Sequence, residues 1–442
     1  MSPTPASNGW SFVAVERVGS FHHGWWRGIV SRLVNTLLHR RIALLAVASV
    51  LIAACGSGAA STTTTTTTTV VVDPTIPPTT PTTAVIEPPA MTGSLTVWAD
   101  PAVADAVRSR GILFGADTGI TVTVVAKAEA DILTALLDGS EEEPDLFVGP
   151  HTWLQELAVA GLTEPVTLGE DLPQGIIDAV SLRGFALAVP LAVDALVQVR
   201  NPAISPTRPT SADALVCQGC LLLPGDGDLD VTYPFLTSLG GYLFGPNPDN
   251  GYDVTDTSVD SPEAIAAATI LQDLVAAGAV GTATDRADAL ARFEAGEAGI
   301  IWAGPEAIGV LAGEAVEALP TIGGAPAISP VRVTAAFVNG QGPVKAEAVR
   351  FAERYLGDQD GSRAIADASS MAPVWAGAAT NIELVVLESA KTGQPVPYVA
   401  GTQAAWDEVA AAFARILVGI DAGTALIDAG DAIRFVDPTP QG

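Results

Sequence analysis

The sequence predicts an α/β fold arranged in two lobes, and three observations lead to this prediction. Apolar runs typical of strands alternate with helical patterns from Ser94 onward, as in folds with a largely parallel sheet. This part of the chain has about 350 residues, more than one hydrophobic core usually serves. A low-complexity segment separates it from the N-terminal residues. We therefore expect the folded part to begin near Ser94.

The predicted elements follow one another closely in the first half of the folded part. Strand patterns lie at residues 94–98, 120–125, 145–148, 185–189 and 195–199. Helical patterns lie between them at 102–114, 132–137 and 153–160, the last ending at Gly161. This alternation predicts a mainly parallel sheet with helices beside it.

The N-terminal residues 1–54 have the features of a signal segment. Two arginines precede an apolar run at 42–54 that is too short to span a bilayer, and small residues stand directly before Cys55. The order Ile-Ala-Ala-Cys at 52–55 resembles a bacterial lipobox, which implies a diacylated Cys55 at a new N-terminus. An ordinary secretory segment or a membrane-anchor helix with an incidental cysteine is the alternative. Residues 1–39 are long for a signal segment, so the start is either extended or misassigned.

Residues 55–93 form a low-complexity segment rich in threonine and proline. Eight consecutive threonines occupy 62–69, and a Pro/Thr/Val stretch follows. Such a composition cannot bury enough apolar surface to fold. We predict a solvated tether between Cys55 and the folded part.

The charge and the histidine content exclude several classes of function. The chain has 21 basic and 49 acidic residues, a formal net charge of −28. Binding to nucleic acid, or to anionic lipid by charge alone, is therefore not expected. Only His151 of the four histidines lies in the folded part, which excludes a multi-histidine metal site there. We expect neither a metal nor a cofactor.

Cys217 and Cys220 are the cysteines that remain besides Cys55, and they are spaced as a CxxC motif. Zinc would need four ligands, and no second pair of cysteine or histidine ligands is present. Outside the membrane a local disulfide between them is favoured. A thioredoxin-like redox role is the alternative, although no strand and helix pattern of that fold surrounds the motif.

Many collinear segments resemble one family. The chain contains the segments 93–100 (GSLTVWAD), 117–124, 144–162 and 188–201 (AVPLAVDALVQVRN). In order and spacing they resemble the N-terminal lobe of maltose/maltodextrin-type solute-binding proteins of ABC transporters. The similarity continues through 233–245, 291–305, 346–356 and 393–409. It covers nearly all of residues 93–430, and its strength lies in the number of segments, since no single one is diagnostic.

The resemblance implies a periplasmic-binding-protein-like fold, with two α/β lobes joined by crossing strands and a ligand in the cleft between them. The crossings are expected near 195–201, 319–321 and 371–373. The lobes would then comprise 94–195 plus 321–370, and 200–319 plus 373–442. The family binds a small solute, here a sugar of the maltose or oligosaccharide type, and presents it to the membrane subunits of an ABC permease. We expect a monomer and no enzymatic activity. The expected place is the extracellular face of the cell membrane, reached by the lipid anchor, or the periplasmic side where an outer membrane exists.

Two residues match ligand-binding positions of the family closely. Trp406, on a helix expected at 403–418, falls where the family has a stacking tryptophan, although a helical Trp beside Ala405 and Val409 is equally compatible with the core. Asp194 stands where the family has a ligand-binding Glu. An acidic residue within so apolar a run is unfavourable unless it faces a cleft or finds a partner.

Three further candidates follow strand ends, where α/β folds place ligand-contacting loops. His151 and Thr152 come directly after the strand at 145–148, and Thr152 replaces an Asp common in the family. Asp100 follows the first strand. Its alternative role is to cap the helix behind it.

The departures from the family pattern concern aromatic residues. Glu306 stands where the family has a stacking Trp after Gly-Pro, and Asp230 replaces a Tyr, although Tyr233 is near enough to serve as a platform. An aromatic-poor, acid-rich cleft is expected to bind a long maltodextrin less well. The ligand is then a short sugar, an aminated or otherwise modified sugar, or not a sugar.

Two other functional classes stay open on the sequence alone. A surface glycoside hydrolase would use paired carboxylates such as Asp194 and Asp230. A sensor or adhesion lipoprotein would keep the same fold and bind a partner.

Overall fold

The computed structural model describes residues 93–139, 142–215, 219–247, 251–307 and 315–435. The predicted signal segment, Cys55 and the tether lie outside these ranges, as does Cys217. The described residues form a mixed α/β structure with two main sheets, which confirms the predicted fold class. Among them, no helix combines the length and the apolar character that a membrane crossing needs.

The strands of this part of the chain are numbered in chain order. They are β1 (Ser94–Ala99), β2 (Thr121–Ala126), β3 (Leu146–Pro150), β4 (Ser181–Leu182), β5 (Phe185–Ala186), β6 (Val189–Ala195), β7 (Val197–Arg200), β8 (Leu221–Pro224), β9 (Gly245–Asn247), β10 (Gly251–Asp253), β11 (Val280–Ala283), β12 (Ile300–Ala303), β13 (Ala315–Glu317), β14 (Pro330–Val338), β15 (Ala372–Pro373) and β16 (Gln394–Pro395).

The α-helices are numbered in the same way. They are α1 (Pro101–Thr118), α2 (Glu129–Asp138), α3 (Leu154–Val159), α4 (Gln174–Ala179), α5 (Leu229–Thr232), α6 (Pro234–Thr237), α7 (Pro262–Ala276), α8 (Arg286–Glu294), α9 (Lys345–Phe351), α10 (Gln359–Ser369), α11 (Glu383–Thr392), α12 (Thr402–Leu417) and α13 (Ala422–Ile433). Single 3₁₀ turns lie at His151–Trp153, Ala212–Ala214 and Pro305–Ala307, and a π-helical turn at Ala352–Leu356 continues α9.

The first sheet has the strand order β15-β6-β14-β3-β1-β2, and β16 pairs with the beginning of β14. β1 is parallel to β2 and β3, whereas β14 is antiparallel to both β3 and β6. The second sheet has the order β11-β8-β12-β7-β13. There, β8 is parallel to β11 and β12, and β7 is antiparallel to β12 and β13. Each sheet thus combines parallel pairs with an inserted antiparallel strand.

The predicted elements of the first half agree with the structure to within a few residues. The main difference is the strand predicted at 185–189, which is replaced by the short β5 and by β6. A glycine turn separates β5 from its partner β4, because Gly184 has a φ of 80°. β6 then runs between β14 and β15 in the interior, so its near-continuous apolar sequence lacks the alternation of a half-exposed strand.

The chain passes between the sheets beside β6 and β14. A single residue, Leu196, separates β6 in the first sheet from β7 in the second, and its N–H donates to the Ser329 Oγ at 2.7 Å. Ser329 in turn directly precedes β14, at the end of the segment returning from β13. The two passages are therefore joined by the hydrogen bond between Leu196 and Ser329.

The C-terminal part of the chain first packs on the first sheet and then on the second. β15 pairs with β6, and α11 packs against β6 as well. After β16, α12 packs on α5 and α7, and α13 packs on α7 and α12. The return toward the second sheet thus follows β16, and the lobe ranges expected from the sequence stay a prediction.

Candidate functional site

Charged side chains from both sheets meet where β6 passes into β7. Asp194 on β6 and Arg332 on β14 are direct cross-strand partners in the first sheet. Elements associated with the second sheet bring acids and a second arginine to the same place. We call this set the ionic junction; it comprises Asp194, Asp228, Asp230, Arg286, Glu306 and Arg332.

Arg332 forms the ion pair of the junction that joins the two sheets most directly. Its Nε and Nη2 donate to the Asp230 Oδ1 at 3.0 and 2.8 Å. The guanidinium carbon also lies 5.3 Å from the centre of the Trp406 ring, within the range of a cation–π interaction. Arg332 therefore extends from β14 between an acid on α5 and an aromatic ring on α12.

Arg286, the first residue of α8, interacts with three carboxylates. Its Nε donates to the Asp228 Oδ2 at 2.9 Å, and its Nη2 and Nη1 lie 3.5 and 3.6 Å from oxygens of Asp230 and Glu306. Burial alone would lower the pKa of Arg286, but these three carboxylates raise it above its ordinary value. The arginine stays charged and holds the acids of the second sheet together.

Asp194 has no such partner. Its Oδ1 and the Glu306 Oε2 both lie within 2.4 Å of the point where a Cβ on Gly304 would stand, so the two carboxylates are near neighbours and a larger residue at this position would have to displace them. Burial, followed by the charges of Glu306 and Asp230, raises the pKa of Asp194 to about 7, against the opposing effect of the two arginines. Within the described ranges its carboxylate accepts no hydrogen bond. The junction holds four carboxylates and two guanidinium groups, so when all are ionised, negative charge is in excess.

Tyr233 and Trp406 form a stacked pair next to the junction. Their ring centres are 5.4 Å apart at an interplanar angle of 20°. Trp406 is 6% exposed and Tyr233 is 2% exposed, and the tyrosine hydroxyl donates to the Gln394 Oε1 at 3.3 Å. One face of the Trp406 ring thus carries Tyr233, while Arg332 lies over the ring as well.

Two cavities adjoin the junction. The smaller, lined by Asp194, Leu196, Asp230, Arg286, Pro330 and Arg332, has a volume of about 10 Å³, room for roughly one water molecule. The larger, of about 310 Å³, has a mostly apolar wall formed by α8 and β12, with Arg286 and Glu306 also in its lining. The indole Nε1 of Trp302, a lining residue, is buried with no hydrogen-bond partner in the described part of the chain.

His151 is placed apart from this set and is fully engaged. The ring is 1% exposed; the Val333 N–H donates to its Nδ1 at 3.1 Å, and its Nε2 lies 3.0 Å from the Val396 carbonyl oxygen. Burial is the main cause that lowers the pKa of His151 to about 4, so the ring is neutral at pH 7 and its Nε2–H donates to that carbonyl. No ring nitrogen is left to bind a ligand.

The remaining predicted residues lie on the first sheet beside β1 and β3. Thr152 is half-buried in the turn after β3. Asp100 is the N-cap of α1, and its Oδ1 accepts a hydrogen bond from the Ala102 N–H at 2.9 Å. The structure therefore brings Asp194, Asp230 and Glu306 together, near Tyr233 and Trp406, and leaves Asp100, His151 and Thr152 outside the ionic junction.

Three residues of the junction were not identified from the sequence: the two arginines, and Asp228, which pairs with Arg286. Arg332 is the one charged residue in the apolar strand sequence PVRVTAAFV, and Arg286 opens a helix in a strongly acidic chain. The same argument that singled out Asp194 applies to Arg332, because a charge within a buried strand needs a partner. That signal was present in the sequence.

The described residues contain no group of three or more His, Cys, Asp or Glu side chains suited to a metal ion. Cys220 is disulfide-bonded, and since Cys217 lies outside the described residues, the pairing of these two cysteines stays a prediction.

The chain was also compared with models of known protein families. The family described as "Bacterial extracellular solute-binding protein" matches residues 113–391, well over half of the chain. The matched region includes all six residues of the ionic junction, both passages between the sheets and the larger cavity.

Proposed function

The chain belongs to the bacterial extracellular solute-binding protein family, and from this premise we propose that it captures a small carbohydrate at the ionic junction and delivers it to an ABC import permease. Members of this family bind solutes for ABC-type transporters and are not enzymes. The carboxylates at the junction therefore serve in binding, and a glycoside hydrolase is no longer a candidate.

The observation that carries this proposal is the meeting of charged side chains from both sheets beside the passages that connect them. Asp194 and Arg332 come from the first sheet, and Asp230, Arg286 and Glu306 come from elements around the second. A solute that contacts both sets links the two sheets, and hinge closure around a ligand is driven by such contacts. The passages beside Leu196 and Ser329 are the segments in which a hinge would act.

The side chains at the junction suit a solute rich in hydroxyl groups. Carboxylates accept hydrogen bonds from hydroxyls, and guanidinium groups donate to them. Trp406 supports a sugar only after Arg332 moves away, since the guanidinium now lies over the ring. The proposal of a carbohydrate thus rests on the polar groups of the junction and on the resemblance to the maltodextrin type, with a short sugar favoured over a long one.

We further propose that the receptor is held at the membrane by a diacylated Cys55. The order of small residues before Cys55 and the Thr/Pro-rich segment behind it support this. The wild-type protein expressed in a bacterium should incorporate labelled palmitate and fractionate with membranes, and the Cys55→Ser variant should do neither. Equal labelling of both proteins would contradict the anchor and leave the solute-binding proposal untouched.

A thermal-shift panel of monosaccharides, oligosaccharides, polyols and amino acids tests the proposed function. A solute present at 100 times its Kd stabilises the folded state by about 2.7 kcal/mol, which is readily seen as a rise in Tm. We expect one or a few sugars to raise the Tm of the wild type and of a control variant at an exposed acid, Glu294→Gln. The Asp230→Asn variant should lose the response. A panel without any response, or a response that Asp230→Asn retains in full, would contradict the proposal.

A further inference from the structure

The surroundings of the Arg332 guanidinium are those of a binding site for a cation. We call this place, between Asp230 and Trp406, the cation seat. Asp230 accepts two hydrogen bonds from it at 2.8 and 3.0 Å, and the Trp406 ring lies at 5.3 Å. A carboxylate and an aromatic face are the two groups that recognise guanidinium and ammonium ions most effectively. Tyr233 stacks on Trp406 and fixes the orientation of that ring.

The guanidinium that occupies the cation seat comes from the first sheet, whereas Asp230 and Trp406 belong to helices beside the second sheet. Arg332 belongs to β14, whereas Asp230 lies on α5 and Trp406 on α12, which pack together and against the helices beside the second sheet. The contact joins the two parts that a bound solute would join, and the cavity beside it holds only about 10 Å³. A solute of the size of a sugar enters this space only when the Arg332 guanidinium leaves it.

The charges around the seat favour a cation over a neutral group. The carboxylates of Asp194 and Glu306 stand next to each other beside Gly304, and that of Asp194 accepts no hydrogen bond within the described ranges. Arg286 already serves Asp228, Asp230 and Glu306. If Arg332 left without replacement, the junction would retain four carboxylates and one guanidinium group, a strongly repulsive arrangement.

We propose that Arg332 acts as a built-in surrogate ligand, which occupies the cation seat between Asp230 and Trp406 when no solute is bound. The transported solute then carries an ammonium or guanidinium group that replaces the Arg332 guanidinium in the seat. An amino-substituted carbohydrate has the required chemistry. This inference rests on the proposed function and narrows the class of its solute.

Chemical rescue of an Arg332→Ala variant tests the seat itself. The vacated site should bind methylguanidinium at millimolar concentration, which raises the Tm of the variant, whereas the neutral isostere methylurea should have no effect beyond that of matched sodium chloride. The preference for methylguanidinium should be about tenfold or more in apparent affinity. The double variant Arg332→Ala/Asp230→Asn should lose the rescue, and Arg350→Ala, which removes an exposed arginine, should show none. Equal responses to methylguanidinium and methylurea in Arg332→Ala would overturn the proposal.

A second measurement uses the wild-type protein and does not depend on the folding of a variant. Isothermal titration should show that glucosamine, below the pKa of its amine, binds about tenfold more tightly than glucose, and that Asp230→Asn removes the difference. Binding of glucose with equal or greater affinity would overturn the cation seat while leaving the proposed sugar receptor intact. If neither of these sugars nor any member of the solute panel binds, the proposed function itself fails, and the rescue experiment alone then decides on the seat.

Discussion

His151 and Asp194 lie beside the same strand and illustrate opposite ways of placing a titratable group. His151 bonds the backbone of Val333, the residue that follows Arg332, and Asp194 is the cross-strand partner of Arg332 itself. The histidine has a backbone partner at each ring nitrogen, and burial keeps it neutral. The carboxylate of Asp194 lies near two other acids and two arginines, and within the described residues it accepts no hydrogen bond.

The difference separates structural groups from groups available for binding. A buried polar side chain whose hydrogen bonds are complete fixes the surrounding backbone and has nothing left to offer a ligand. An ionisable group with a perturbed pKa and unmatched charge reduces stability, and sites of this kind cluster where function requires them. His151 therefore belongs to the structural framework, whereas Asp194 is the group that we propose for solute binding.

The largest effect is expected at His151. The His151→Ala variant should lose about 3 kcal/mol of unfolding free energy, because it leaves the Val333 N–H and the Val396 carbonyl unpaired in the interior and opens a cavity. Urea denaturation at pH 7 measures this. Thr152→Ala, at the neighbouring half-buried position, should cost less than about 1 kcal/mol. Equal losses in the two variants would show that the ring bonds are not what stabilises this region.

A smaller effect on stability, with a larger one on binding, is expected at Asp230. The Asp230→Ala variant should lose about 1–2 kcal/mol, since its ion pairs with Arg332 and Arg286 are partly exposed to water. It should also lose the solute response that His151→Ala retains in whatever fraction is folded. Denaturation and titration of the two variants side by side measure both effects. If folded His151→Ala failed to bind while Asp230→Ala bound, the assignment of His151 to the framework and of Asp230 to the site would be wrong.

The effect at Asp194 should depend on pH. The pKa of this carboxyl is raised to about 7 from an ordinary 3.8, so the folded protein holds a proton that the unfolded chain releases. Its contribution to stability is therefore fully present below about pH 4 and is lost as the pH rises to 7. Asp194→Asn removes this loss and should be more stable than the wild type by roughly 1–2 kcal/mol at pH 8, with little difference at pH 4.

Urea denaturation at these two pH values checks the prediction, with Glu294→Gln as the control for removal of an acid. A stability difference between Asp194→Asn and the wild type that does not change with pH would mean that Asp194 is already ionised at low pH and is satisfied in the folded state. Asp194 would then be a satisfied structural group, as His151 is.

The smallest effect is expected at Asp100. It decides whether this residue is a structural group, like His151, or takes part in solute binding. Asp100→Ala removes the N-cap bond to the Ala102 N–H and should cost about 1 kcal/mol. Asp100→Asn preserves an acceptor for that bond and should cost about half as much or less. If Asp100 is only a cap, both variants bind the solute as the wild type does in a titration. A drop in affinity for either variant would place Asp100 in the site.

The fold was largely predictable because its signals are local. The alternation of strands and helices from β1 to β3 follows from short-range patterns, and the predicted bounds lie within a few residues of those observed. β6 was largely missed, because the strands predicted at 185–189 and 195–199 reach only its two ends. Its interior position between β14 and β15 removes the alternation that marks half-exposed strands.

The site was predictable only in part because its interactions are long-range. An acid in an apolar run identified Asp194, but Asp230 pairs with Arg332, 102 positions away, and no local pattern announces that pair. His151 resembled a ligand residue because it follows a strand; the two backbone groups that satisfy it lie 182 and 245 positions away. Tertiary partners decide between a satisfied and an available group.

Hydrogen exchange of the wild-type protein, with and without the solute that most strongly raises its Tm, tests most directly whether the ionic junction is the binding site. We predict that binding slows exchange on both sheets at once, at residues 194–197 and 329–333 in the two passages and at 228–233 and 304–307 around the second sheet. Slower exchange confined to one sheet, or confined to the region between His151 and Leu162, would contradict it.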